Sequence, residues 1–346
     1  MKLELPRAAV VLGIESSCDE TSAAVIAHGK LESVVVSSQF FHHNFGGVVP
    51  ELASRAHLSS IVPIVDEALR KAGRTLHTID AIAVTNTPGL MGSLLVGLNY
   101  AKGLSAALHI PLIGIHHIEA HIFSALLEDD RPELPFIALI VSGGHTLLVA
   151  VNDIGDYELL GETLDDAAGE AFDKVGKMLG LSYPAGPAVD KLASVGDASF
   201  VQFPRAMIHE DHFDFSFSGI KTSVLYWLKN HPELLQRDVP NIAASFQRAV
   251  VDVLVGKTLR AALERGVDDI VAVGGVSANS ELRERFRFET KKRGLRFFTP
   301  RPLFSTDNAA MIAMLGALKL DRGVTHDLGL RAEPRHPIAQ RTQIVK

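Results

Sequence analysis

His116-His117-Ile118-Glu119-Ala120-His121 is the stretch of this chain best equipped for metal chemistry. His117 and His121 are four residues apart. On a helix they share one face, with Cβ atoms about 5–6 Å apart. That spacing lets two imidazoles hold one transition metal at roughly 2.0–2.1 Å each. Two histidines still leave such a site short of a third ligand. The plainer reading is a polar start to a surface helix, since histidine is mostly a partly exposed residue. A zinc-peptidase motif needs Glu directly after the first His as general base. Ile118 holds that place here, and Glu119 lies on a different helix face.

The elements around this stretch must belong to a large globular chain. With 346 residues, 47% of them hydrophobic, two domains are the natural expectation. The single cysteine, Cys18, excludes an internal disulfide and fits a reducing compartment. The first apolar run is too short to span a bilayer, and neither a secretory signal nor a membrane partner is expected. A net charge of −6 argues against general nucleic-acid coating while leaving room for a local basic patch.

Along the chain, Val10–Ile14, Ala23–Ala27 and Leu31–Ser37 predict an antiparallel start, with the polar turn from Glu15 to Thr21 between the first two. A helix over Val49–Leu69, a strand over Ala81–Thr85, a helix over Ser93–Ala107 and a strand over Ile110–Ile115 lead to the histidine helix. Glu128–Pro135 reads as a charged, proline-broken linker. The pattern then restarts with strands over Phe136–Val141, Thr146–Val151 and Tyr157–Gly161. A mostly helical insertion follows, placed at about 162–265. Next come a strand over Asp269–Val273, a basic helix to Arg293, a strand over Leu295–Phe298, and a last helix capped by Ser305-Thr306-Asp307-Asn308. This predicts a duplicated α/β unit, with domains over 1–133 and 134–346 and a last helix that is a candidate to pack on the first domain. The histidine helix and the Asp307 helix hold corresponding places in the two halves. A pseudo-twofold brings both helix starts toward one cleft and makes Asp307 the third ligand. The alternative for Asp307 is a plain helix N-cap.

Glycine-rich turns are the other candidates. Ser142-Gly143-Gly144-His145 lies between two strands and could cradle phosphate through its backbone N–H groups. Gly274-Gly275-Val276-Ser277-Ala278-Asn279 follows a buried strand, where a flat adenine could approach the backbone. Asp173 and Asp190 are candidates for holding ribose hydroxyls, with Gly186 allowing close approach. Neither a P-loop nor a Rossmann Gly-x-Gly-x-x-Gly is present.

These segments together resemble one family. The matching stretches are Gly13–Thr21, Gly46–Arg55, Pro88-Gly89-Leu90 with Gly92-Ser93-Leu94, the histidine stretch, Val141–Thr146, Ala171-Phe172-Asp173-Lys174, Phe215–Thr222, Gly274–Asn279 and Thr306–Met311. Their order along most of the chain resembles the TsaD family of tRNA threonylcarbamoyl transferases. That family is built on the duplicated actin/sugar-kinase/heat-shock-chaperone ATPase (ASKHA) fold, an α/β architecture of two domains around a central cleft. The resemblance implies transfer of a threonylcarbamoyl group from threonylcarbamoyl-AMP to N6 of the adenosine 3′ of the anticodon, in tRNAs reading codons that start with A, with release of AMP. It implies one divalent metal, iron or zinc, on His117, His121 and Asp307. It places the adenylate contacts on Ile140, Val141, Ser142, Gly143, Gly144, Asp173, Gly186, Asp190 and Asn279. It also implies a paralogous ASKHA-fold partner subunit, a small P-loop ATPase and a cytoplasmic location. Thr87 departs from the family pattern, standing where glycine is usual.

Glu15 is a candidate to orient the attacking amine; the alternative is a carboxylate satisfying backbone amides of its own turn. Arg283, Arg285, Arg287, Lys291, Lys292, Arg293 and Arg296 form a basic run that either meets tRNA phosphates or is a solvated face. The rival functions are an ASKHA-fold small-molecule kinase or ATPase and, further off, a metallopeptidase. Such kinases begin with an Asp-x-Gly-Thr hairpin, and the turn here has no glycine.

Overall fold

A computed structural model of the chain describes residues 9–45, 47–234 and 237–339. The chain divides into two compact units. One joins Lys2–Arg131 to Thr306–Ile338, and the other is centred on Pro132–Ser305. The stretch Thr306–Ile338 thus belongs with the first part of the chain.

The first unit opens with β1 (Val10–Glu15), β2 (Glu20–Ala27) and β3 (Lys30–Ser38). All six residues of β1 are buried, as expected of a strand covered on both faces. β1 pairs antiparallel with β2, and β2 with β3. Helix α1 (Pro50–Ala72) starts with proline in its first turn and ends at Gly73 in the left-handed region, φ 66°. β4 (Ala81–Thr87), α2 (Met91–Leu108), β5 (Leu112–His116) and the short helix α3 (His117–Phe123) follow. β1 pairs parallel with β4, and β4 with β5, so the sheet order is β3-β2-β1-β4-β5.

The second unit repeats this plan. β6 (Phe136–Val141), β7 (Thr146–Asp153) and β8 (Asp156–Glu162) are antiparallel. Helices α4 (Ala168–Met178), α5 (Gly186–Ala193), α6 (Ser218–Asn230) and α7 (Val239–Arg265) form the insertion, whose apolar residues pack with those of the sheet into one core. β9 (Asp269–Val273) pairs parallel with β6, α8 (Ser280–Arg293) and β10 (Arg296–Phe298) follow, and α9 (Pro302–Ser305) is a single turn. The order β8-β7-β6-β9-β10 is the first sheet's topology again, as a duplicated unit requires.

The last helix, α10 (Ala309–Asp321), returns to the first unit, and every residue from Ala309 to Leu318 is buried. It packs on β1, β2, β4 and α3. Glycine permits the approach: a Cβ on Gly13 would lie 2.5 Å from the Ala309 carbonyl oxygen, and one on Gly316 would lie 2.3 Å from the Ala83 Cβ. Among the described residues no helix is long and apolar enough to cross a membrane.

Candidate metal centre and adenylate face

The histidine helix is held from three sides. His116 caps it, its Nδ1 accepting from the Glu119 N–H at 3.4 Å. The His116 Nε2–H then donates to the His336 carbonyl at 2.9 Å. Burial pushes the His116 pKa down to about 4, which keeps the ring neutral for both bonds. Glu119 is buried and accepts from Lys319 Nζ at 2.6 Å, an ion pair that ties α3 to α10. Glu119 is therefore engaged away from the histidine pair, which removes it from the general-base role of a peptidase.

α10 starts two residues after Asp307. Its N-cap is Asn308, whose side chain accepts from the Met311 N–H at 3.2 Å. Asp307 is thus released from capping and turns to the histidines. Its Oδ1 lies 3.0 Å from His121 Nε2 and 3.4 Å from His117 Nε2. One ligand atom from each of His117, His121 and Asp307 lies within 4.8 Å of the other two. On a tetrahedral ion with bonds of roughly 2.0–2.1 Å, neighbouring donors stand about 3.3 Å apart. The two distances to Asp307 bracket that edge, so the residues fit a divalent cation bound by nitrogen and oxygen. All three lie in the first unit. The pseudo-twofold expected to supply Asp307 from the other half is not how it arrives. The helix that carries it packs on the same sheet that positions the histidines.

Glu15 lies behind His117. Its Oε2 accepts from His117 Nδ1–H at 2.9 Å and from the Thr85 hydroxyl at 2.7 Å, and its Oε1 accepts from the Ser17 N–H. Ser17 Oγ is also 3.2 Å from His117 Nδ1. A carboxylate only accepts, so Nδ1 carries a proton toward Glu15, and Nε2 is left as the ligand atom once the proton it holds toward Asp307 is lost. Burial resists charge at all three groups, yet they hold one another ionised. Asp307 and Glu15 keep the His117 pKa well above the imidazole range. His117, with help from His121, keeps Asp307 well below the carboxylate range, and His117 lowers Glu15. Burial first, and then the field of Asp307 and Asp19, pushes Glu20 up to about 9. Sequence reasoning passed over Ser17, Thr85 and Glu20; Ser17 and Glu20 belong to the turn it had singled out, whereas Thr85 comes from a different strand.

The second unit carries the other candidates. Ile140 and Val141 are fully buried, so only their main chain can serve the turn that follows. Gly143, Gly144, Gly186 and Gly275 all face open space, with no atom within 4 Å of an added Cβ. Gly169 at the start of α4 is close under this turn, its added Cβ falling 2.5 Å from the Ser142 carbonyl oxygen. Asp173 accepts from the Ala185 N–H at 2.7 Å, at the entry to α5. Burial raises its pKa despite the bonds from the Ala185 and Gly186 amides. Asp190 and Asn279 come together through Gln247, which accepts from Asn279 Nδ2 at 2.7 Å and donates to Asp190 Oδ1 at 3.0 Å.

Most of the basic run is used within the fold. Arg283 donates to the carbonyls of Ser277 and Pro300, Arg285 pairs with Asp252, Arg293 with Glu289, and Arg296 with Asp269. Among the described residues, Arg287, Lys291 and Lys292 have no ion pair.

The sequence profile of the TsaD family, described as tRNA N6-adenosine threonylcarbamoyltransferase, matches residues 30–314. The chain belongs to the TsaD family. A tRNA N6-adenosine threonylcarbamoyltransferase from Prosthecochloris aestuarii is 52% identical over 328 residues, covering 91% of this chain and 95% of that protein. One from Ralstonia pickettii is 53% identical over 317 residues, covering 90% and 91%. Among solved structures, full-length HypF in the phosphate- and nucleotide-bound form aligns with a TM-score of 0.59 at 15% identity. It matches 92% of this chain, which spans about half of that longer one (47%). The activator of 2-hydroxyisocaproyl-CoA dehydratase from Clostridium difficile aligns at 0.53 and 12% identity, over 91% of this chain and 96% of that one. At such identities the likeness shows the fold alone, and this TsaD-family chain has the ASKHA architecture that its resemblance to the family implies. Membership in the family sets aside the kinase and peptidase readings.

Proposed function

We propose that this chain transfers a threonylcarbamoyl group from threonylcarbamoyl-AMP to N6 of the adenosine 3′ of the anticodon, releasing AMP. The supporting observation is a His117–His121–Asp307 set with ligand spacing, its histidines buried and Asp307 half-buried, in a chain about half identical to named tRNA N6-adenosine threonylcarbamoyltransferases. His117, His121 and Asp307 would hold one iron or zinc ion. When bound, that ion would supply Lewis-acid polarisation of the carbamoyl carbonyl and a template for the group to be transferred.

The remaining roles fall to the chain's own side chains. Glu15 fixes the tautomer of His117 and so aims its Nε2 at the ligand position. Both Glu15 oxygens are engaged in doing so, and we therefore assign Glu15 to supporting His117 rather than to orienting the amine. The Lys319–Glu119 pair holds the histidine helix against the Asp307 helix. In the second unit, the open glycines 143, 144, 186 and 275 admit the adenylate to the backbone. Asp173, Asp190 and Asn279 offer hydrogen-bonding groups to its ribose and base. AMP is a good leaving group, so orientation does much of the work, in a class of effects worth roughly 7–11 kcal/mol. The target adenosine lies in a single-stranded loop, where it can be splayed out without breaking a pair.

The proposal includes a paralogous ASKHA-fold subunit and a small P-loop ATPase as partners, and a cytoplasmic setting. The test is direct. The protein, its partners, threonylcarbamoyl-AMP and unmodified tRNA are incubated and the nucleosides analysed by mass spectrometry. The modified adenosine is expected; its absence with all components present overturns the assignment.

A further inference from the structure

Gln247 was marked by no motif, yet it lies at the centre of the proposed adenylate face. It sits in the first third of α7 and is only 2% exposed. Its amide bridges two segments that are distant in sequence. Nε2 donates to Asp190 Oδ1 on α5, and Oε1 accepts from Asn279 Nδ2 before α8. Both ends of this bridge have a fixed polarity. Asp190 is a carboxylate and can only accept. The Asn279 side-chain oxygen is already taken by the Leu282 N–H at 2.9 Å, so its amide nitrogen must face Gln247. Ser280 completes the arrangement, donating from its hydroxyl to Asp190 Oδ1 at 2.8 Å and from its N–H to Oδ2 at 3.0 Å.

A buried side chain with one donor and one acceptor, each meeting a group of fixed polarity, locks those groups relative to each other. No aliphatic residue of similar volume can do so, and a glutamate would set two carboxylates against each other. We infer that Gln247 is a positioning residue for the adenylate, holding Asp190 and Asn279 at one spacing so that both can meet the nucleoside monophosphate moiety. This rests on the reading that Asp190 and Asn279 contact the adenylate.

The experiment uses the purified full chain and AMP as the probe in titration calorimetry. Wild type is compared with Gln247→Met, Gln247→Glu, Asp190→Asn, Asn279→Ala and the double variant Gln247→Met/Asn279→Ala. Thermal unfolding and zinc affinity serve as controls for folding. Gln247→Met is expected to weaken AMP binding about tenfold, the size of one misplaced hydrogen bond. Gln247→Glu is expected to weaken it further. In the double variant, the Gln247→Met effect should shrink below its value in the single variant, because one of the two groups it positions is gone. In turnover, Gln247→Met should raise KM for threonylcarbamoyl-AMP far more than it lowers kcat. Wild-type AMP affinity in folded Gln247→Met, alongside impaired Asp190→Asn and Asn279→Ala, overturns the positioning role. So does full additivity in the double variant. Unchanged AMP binding in Asp190→Asn and Asn279→Ala instead overturns the adenylate reading itself, and the inference with it.

Discussion

Replacing Glu15 with glutamine tests the logic of the metal centre at a residue that is not itself a ligand. The change keeps the shape of the side chain and removes its charge. Glu15 meets two donors that cannot be inverted without consequence: the Ser17 N–H at Oε1 and the His117 Nδ1–H at Oε2. An amide has only one acceptor oxygen. If its oxygen stays with Ser17, its NH2 faces the His117 N–H, and the proton of His117 must move to Nε2, where it blocks the ligand lone pair. If the amide flips, the NH2 faces the backbone N–H, which has no alternative form. Outer carboxylates of this kind are worth roughly 10–100-fold in metal affinity, about 1.4–2.7 kcal/mol. The assay is competition between a chelator of known affinity and chelator-stripped protein for zinc, with circular dichroism confirming that the variant is folded. Thr85→Val is the matched control. It removes another bond to the same oxygen, at 2.7 Å, without affecting the tautomer, and should cost clearly less. Zinc affinity of wild-type strength in Glu15→Gln, or an equal loss in Thr85→Val, would refute the reasoning.

Asp307→Ala and His117→Ala should each abolish tight zinc binding in the same competition assay; retention of both affinity and activity in His117→Ala would remove the metal role. Chelator-stripped protein should release close to one proton as zinc binds at neutral pH, because His117 is held protonated by Asp307 and Glu15 and must lose that proton to ligate; calorimetry in two buffers of different ionisation enthalpy reads it. The same shifts set a pH window for the stripped protein. The raised pKa of His117 contributes stability in full below its unfolded value near ~6.5, and this is lost as pH rises through the folded value. The lowered pKa values of Asp307 and Glu15 contribute above about pH 4, and this is lost as pH falls through their folded values, so denaturant midpoints should peak between the two. Gly13→Ala should destabilise the chain by about 1–3 kcal/mol and weaken zinc binding, since its Cβ meets the backbone of α10 at 2.5 Å; urea unfolding and chelator competition measure the two effects. Gly169→Ala should lower AMP affinity while leaving zinc affinity unchanged, because its Cβ strikes the Ser142 turn of the second unit.

The order of elements was legible because each strand and helix announces itself locally. β6 runs over Phe136–Val141 and β9 over Asp269–Val273, as their unbroken apolar runs predict. The repeat of three antiparallel strands followed by parallel ones is visible in that order and recurs in both sheets. His117 and His121 were legible for the same reason, since four residues on a helix define a face. The partners of these residues were not. Nothing in the local sequence ties Lys319 to Glu119, Thr85 to Glu15 or Gln247 to Asn279, because these contacts depend on how separate elements pack. The N-cap shows the same limit at short range. Ser305, Thr306, Asp307 and Asn308 are all competent caps by residue type, and backbone placement gave the role to Asn308.

Residue types and their spacing therefore settle which groups are available: two imidazoles on one helical face, a run of polar caps before the last helix, and glycine turns after buried strands. Tertiary packing settles which of them meet. α10 buries Ala309 to Leu318 against the first sheet, and Gly13 and Gly316 let its backbone come close enough for Asp307 to reach the histidines. That burial involves residues nearly three hundred positions apart, so no local pattern can encode it. It is the reason the third candidate ligand comes from within the unit that holds the histidines.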